Sequence, residues 1–156
     1  MVTHRLLTVG KPRDPCVTGW VEEYLKRLRP WAAWRWEQVA EEPFSDDTRS
    51  QALVREGGRL LRRIRPTDWL VVLDVAGEAL DSPALSRRLA GWQDQGRVFC
   101  VVVGGSLGVS PAVLERSDWR WSLGPITLPH GLAQVVAAEQ LYRAATIYHG
   151  HPYHKD

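Results

Sequence analysis

Two stretches of this chain, Trp69–Val75 (WLVVLDV) and Val98–Val103 (VFCVVV), are apolar at nearly every consecutive position instead of at every second one. A strand with one wet face alternates apolar and polar residues, so unbroken runs predict strands buried on both faces. That is the pattern of a parallel sheet with helices on each side. Parallel neighbours need crossover connections of a dozen residues or more, usually helical, and the rest of the chain supplies them. Arg5–Val9 reads as a first strand ending at Gly10, after which Val17, Trp20, Val21, Tyr24, Leu25 and Leu28 recur at helical spacing until Pro30. Trp34–Ala40 alternates like a strand, and Leu53, Gly57, Leu60, Leu61 and Ile64 form a second helical stripe closed by Pro66.

Beyond the first apolar run, Ser82-Pro83 reads as an N-cap followed by proline at the first helical position, leading through Leu85, Leu89 and Trp92 to Gly96. Ser110-Pro111 repeats the signal for a short helix to Arg116. Trp119–Leu123 predicts a short last strand and Leu132–Tyr148 a final helix. This alternation predicts an α/β fold, a mainly parallel sheet flanked by helices in a single domain over residues 1–156.

A chain of 156 residues can bury a full core, and 44% apolar with 24% charged residues excludes disorder. No apolar run approaches the roughly 20 residues that span a bilayer and no signal-peptide core opens the chain, so a cytoplasmic protein without a membrane partner is expected. With a net charge of +2, any nucleic-acid contact must come from local clusters. Arg59, Arg62, Arg63 and Arg65, with Lys26, Arg27 and Arg29, are by default solvated helix faces and unspecific as phosphate contacts. Two cysteines make no disulfide framework; Cys100 falls within a buried strand and Cys16 in a proline-rich loop. The eight tryptophans favour core and interface packing over base stacking.

Ligands of open α/β sheets sit beyond the carboxyl ends of the strands, which draws attention to two loops. Gly104-Gly105, with Gly108 after them, do not match a dinucleotide fingerprint. They serve either a turn needing positive φ or the close approach of a ligand to bare backbone. Leu123–Leu128 has one polar side chain, Thr127, so recognition there would rest on main-chain groups between apolar walls, as suits an adenine ring; the alternative is a buried turn held by Pro125 and Pro129. In the tail, His149, His151, Tyr153 and His154 fall within six residues, accompanied by no cysteine and only Asp156. A solvated terminus, a substrate contact and a metal site all fit that composition, the metal least. Glu139 and Arg143, one helical turn apart, are by default a surface ion pair.

Taken together, VLDVAG (72–77), VVVGG (101–105), SLGPITLPH (122–130), EQLYRAATI (139–147) and HPYHK (151–155) resemble the ribosomal RNA large-subunit methyltransferase H family of the SPOUT class. The resemblance implies a C-terminal trefoil knot, a topology that connection rules make very rare, and a homodimer acting on neither DNA nor membranes. It also implies S-adenosylmethionine as cofactor and methyl transfer to N3 of a pseudouridine in 23S rRNA of the assembled ribosome. Carried over by position, it implies a cofactor site of Leu73, Gly104, Leu123, Gly124, Pro125, Ile126, Thr127 and Leu128, with no metal. The same comparison implies that His154 is the base or orienter, that Tyr153, Lys155 and Arg143 hold the nucleotide and its phosphate, and that Glu139 orients Arg143. Two departures stand out. Where the family often has Gly-Gly-Pro-Glu-Gly, this chain has Gly104-Gly105-Ser106-Leu107-Gly108, and Lys155 replaces the usual arginine, keeping charge but not the planar fork. A non-catalytic RNA-binding module on the same fold is the competing reading, and a metal-dependent hydrolase using the tail histidines ranks last.

Overall fold

The computed structural model describes residues 2–156, and its five strands form one sheet in which every pairing is parallel. The strands are β1 (Thr3–Val9), β2 (Ala33–Val39), β3 (Asp68–Ala79), β4 (Val98–Val103) and β5 (Trp119–Ser122), in spatial order β2-β1-β4-β3-β5. The helices are α1 (Pro15–Arg27), α2 (Arg49–Arg63), α3 (Ser82–Asp94), α4 (Pro111–Arg116) and α5 (His130–Tyr148). Among the described residues no helix is long and apolar enough to cross a membrane.

The two unbroken apolar runs are the inner strands β3 and β4, and side-chain alternation divides them between two cores. Val71, Phe99, Val101 and Val103 pack with Leu6 under α1, α3 and α5; Leu70, Val72, Cys100 and Val102 pack with Leu7 and Val9 under α2 and α4. Burial pushes the Cys100 thiol up to about 12, so it packs as a small apolar group. Cys16 is exposed and lies in the first turn of α1 instead of in a loop. Trp119 and Trp121 are core residues and Trp34 and Trp36 pack against the same core from the other edge of the sheet, while Trp20, placed by its spacing on the apolar stripe of α1, is half exposed.

Three boundaries differ from the sequence reading. Asp81, not Ser82, caps α3, accepting from the Ala84 N–H at 2.8 Å and leaving Ser82 and Pro83 in the first turn. Helix α5 begins at His130, two residues early. Strand β3 does not end at Gly77: residues 74–77 bulge out, and Glu78 and Ala79 rejoin β5 opposite Trp121 and Ser122. Gly77 makes that return possible, because a methyl group there would stand 2.6 Å from the Arg120 carbonyl oxygen.

At the amino ends of the strands, the buried Arg5 guanidinium pairs with Asp68 and donates to Glu37 at 3.3 Å and to the Arg63 carbonyl at 2.8 Å. Nearby, His4 is 2% exposed between Trp34 and Phe99, and its Nδ1 accepts the Phe99 N–H at 3.0 Å. Burial lowers its pKa to about 4. The unfolded chain then binds one more proton than the native state between about pH 6.5 and 4, so stability falls as pH drops through that window. Chemical denaturation at pH 7 and pH 4.5 should give a loss of about 2–3 kcal/mol from this residue, and His4→Gln, which keeps an acceptor, should remove that share of the pH dependence. An unchanged slope in the variant would refute it.

Candidate functional site

The loops that follow β3, β4 and β5 meet at the carboxyl edge of the sheet around a cleft of about 510 Å3, within the range of small-molecule sites. Of the eight residues assigned to a cofactor, Leu73, Gly104, Leu123, Gly124, Ile126, Thr127 and Leu128 line this cleft; Pro125 is exposed and does not. Asp74, Val75, Val103, His130 and Ala133 also line it and had not been singled out. Val103 was recoverable as the last residue of a strand entering a glycine loop, and His130 as part of the LPH motif. Val75 was not, because its exposure depends on the bulge.

Each loop is held by its own local chemistry. Ser122 Oγ donates to the Val75 carbonyl at 3.1 Å and accepts the Gly124 N–H at 3.0 Å, tying the β5 loop to the β3 bulge. Gly124 needs its positive φ of 109° to turn there. From that point the chain runs without regular structure to His130, and the N–H groups of Ile126, Thr127 and Leu128 find no acceptor among the described residues. Free main-chain donors beside apolar walls form a ready recognition edge for a flat, hydrogen-bonding ring.

The β4 loop closes as a turn, with the Gly108 N–H donating to the Gly105 carbonyl at 3.0 Å. The turn reading of the glycines holds at Gly108, whose φ is positive (79°), while Gly104 and Gly105 have no positive φ. A methyl group at Gly104 would point at its own loop, 2.4 Å from the Gly108 carbonyl oxygen, so the missing side chain there lets the loop close, and all three glycines line the cleft.

The tail folds back on α5 as a separate cluster. Glu139 Oε1 accepts from Arg143 Nε at 2.9 Å and from the Tyr153 hydroxyl at 3.1 Å, and the Arg143 guanidinium lies over the Tyr153 ring, 4.7 Å from its centroid. This is more than a surface ion pair, since both charged side chains are at most a quarter exposed. The hydrogen bonds to Glu139 keep the Arg143 pKa raised, while burial, Tyr24 and Glu139 raise that of Tyr153. Arg143 Nη1 lies 3.0 Å from His154 Nδ1. Arginine can only donate, so that nitrogen is the acceptor and the ring proton sits on Nε2. In this arrangement the Nδ1 lone pair of His154 is taken up by Arg143. Lys155 is exposed.

His149 stacks on Trp31 and His151 meets the same ring edge-on, so the tail histidines do not converge with His154. Arg59 is also spoken for, paired with Glu42 and donating to the Ala40 carbonyl at 3.0 Å. None of Glu139, Arg143, Tyr153, His154 or Lys155 lines the cleft. Along α5, Arg143 stands 13 residues beyond His130, about 20 Å at 1.5 Å per residue.

Comparison with known proteins agrees with this architecture. Residues 2–154 match the family model described as "Predicted SPOUT methyltransferase". Proteins named "Ribosomal RNA large subunit methyltransferase H" from Stenotrophomonas maltophilia (strain K279a) and Azotobacter vinelandii (strain DJ / ATCC BAA-1303) are 41% and 39% identical. The alignments cover 97% of this chain in both cases, and 97% and 98% of those proteins. A solved structure, "Probable Methyltransferase from Bordetella pertussis Tohama I", shares the fold with a TM-score of 0.52 at 16% identity, over 91% of this chain and 93% of that one. A parallel sheet with a cleft at its carboxyl edge, matched to one family model over almost its whole length, settles the relationship: the chain belongs to the SPOUT methyltransferase family.

Proposed function

We propose that this protein transfers the methyl group of S-adenosylmethionine to N3 of a pseudouridine in 23S rRNA of the assembled large subunit, acting as a homodimer in the cytoplasm. The observation that carries the reading is the cleft whose β5 loop offers three unbonded main-chain N–H groups between apolar side chains. The names of the relatives support rRNA as the substrate class. The tie between Ser122 and Val75, with Gly77 pressed against the Arg120 carbonyl, holds the β3 and β5 loops together at the cleft.

When bound, S-adenosylmethionine supplies a methyl group already made electrophilic by its sulfonium. The chain's own task is then alignment and help with the N3 proton. Leu123, Gly124, Ile126, Thr127 and Leu128, with Leu73 and Gly104, would hold the donor, and Pro125 would stiffen the loop from outside the cleft. Glu139 and His154 fix the Arg143 guanidinium from two sides, so its charge can meet a phosphate or the anion that develops as N3 loses its proton. Tyr153 and Lys155 would add a hydroxyl and a second positive charge for the nucleotide. Because cleft and tail cluster lie apart on one chain, a second subunit is the natural way to bring a tail to a cleft. Trp20 on α1 and Leu132 on α5, each about half exposed on helices that pack together, offer apolar surface for that contact.

Incubating the protein with labelled S-adenosylmethionine and either ribosomes or free rRNA, then mapping the label, tests the reading; it requires methyl at N3 of a pseudouridine in 23S rRNA. Gly104→Ala should force open the turn against Gly108 and weaken S-adenosylmethionine binding by roughly tenfold or more, about 1.4 kcal/mol in calorimetry. Unchanged affinity would remove that loop from the site. His154→Ala should leave donor affinity near normal while slowing methyl transfer by roughly 10²-fold through loss of orientation. Normal turnover in that variant would take His154 out of the mechanism.

A further inference from the structure

Glu56 is a buried carboxylate that the reaction outlined above does not use. It lies in the middle of α2, 3% exposed, the one acidic residue of a helix whose five arginines face outward or pair at the surface. Its Oε2 accepts the Glu42 N–H at 2.9 Å, anchoring the loop after β2, while Oε1 is buried without a partner among the described residues. A buried polar atom left unpaired gives up its hydration for nothing in return, so its position calls for a reason. Oε1 points to the β4 loop: a methyl group built on Gly105 would stand 3.8 Å from it.

The next residue reaches the other end of the same loop. A methyl group at Gly57 would overlap Ser110, with Oγ at 2.2 Å, so α2 lies directly against the cap of α4. Adjacent residues of one helix therefore touch both ends of the segment running from Gly105 to Ser110. The charges around Glu56 are Glu41, Glu42 and Arg59; burial, reinforced by Glu41, pushes its carboxyl up, against the Glu42 N–H and Arg59, which lower it. In the acid form, Oε2 can go on accepting from Glu42 while Oε1 offers an O–H to a loop carbonyl.

We propose that Glu56 is a positioning residue for the donor cleft, its buried Oε1 hydrogen-bonding the main chain of the Gly104–Gly105 segment when that loop takes its cofactor-holding shape. This rests on the reading of the cleft as the S-adenosylmethionine site. It also assigns a role from α2 that the loop's own side chains, Ser106 and Leu107, do not offer.

The test compares the full-length protein with Glu56→Gln, which keeps one acceptor and one donor in place, and with Glu56→Met, similar in length and without either. Calorimetry with S-adenosylmethionine should give Glu56→Gln within about threefold of the parent and Glu56→Met at least tenfold weaker. Both variants should be fully folded by thermal melting at the assay temperature, and methylation followed over a range of donor concentrations should show the Met effect in the KM for the donor and not in kcat. Normal affinity in Glu56→Met would overturn the proposal, as would equal weakening in both variants. An affinity loss that merely tracks a fall in melting temperature would overturn it as well. Failure of the parent protein itself to bind the donor would instead overturn the reading of the cleft.

Discussion

Burial of β3 and β4 on both faces is the constraint from which the remaining structure follows. Strands with no wet face must be covered twice, so the chain sends α1, α3 and α5 to one side and α2 and α4 to the other. Once both faces are occupied, the strand ends are the places left for a small molecule to reach the sheet. The carboxyl end is favoured because three successive connections leave neighbouring strands there and diverge. The opposite end is plugged by the Arg5, Asp68 and Glu37 cluster and by neutral His4.

What could be read from the sequence follows the range of the forces involved. Elements set by local periodicity and turn chemistry, such as the stripe through Val21 and Leu25 or the Ser110-Pro111 cap, are legible because the information lies within a few residues. The return of β3 after its bulge is not, since it depends on Gly77 meeting a carbonyl more than forty residues away. The same holds for Trp20, whose spacing matches the buried stripe although the fold leaves it half exposed.

For the site, the contrast is sharper. Seven of the residues inferred by resemblance surround one cleft, yet the reason for Gly104 was invisible: its missing side chain makes room for Gly108. The tail motif left His154 open as base or orienter, and the folded chain turns its Nδ1 toward Arg143. That contact depends on how the tail folds back on the last helix, which no local pattern in the sequence encodes. Glu56 had no sequence signal, because a glutamate amid a charged helix looks solvated until the fold closes over it.

The β5 loop brings unbonded peptide N–H groups to the cleft, and every residue except proline carries such a group. Side chains along Leu123–Leu128 are therefore freer to drift than those of a site read by charge, provided Gly124 keeps its turn and the walls stay apolar. A competitive inhibitor drawn to those amides would find the same edge in distant kin, and selectivity would have to be sought at the rim, where Val75 and Ile126 are exposed.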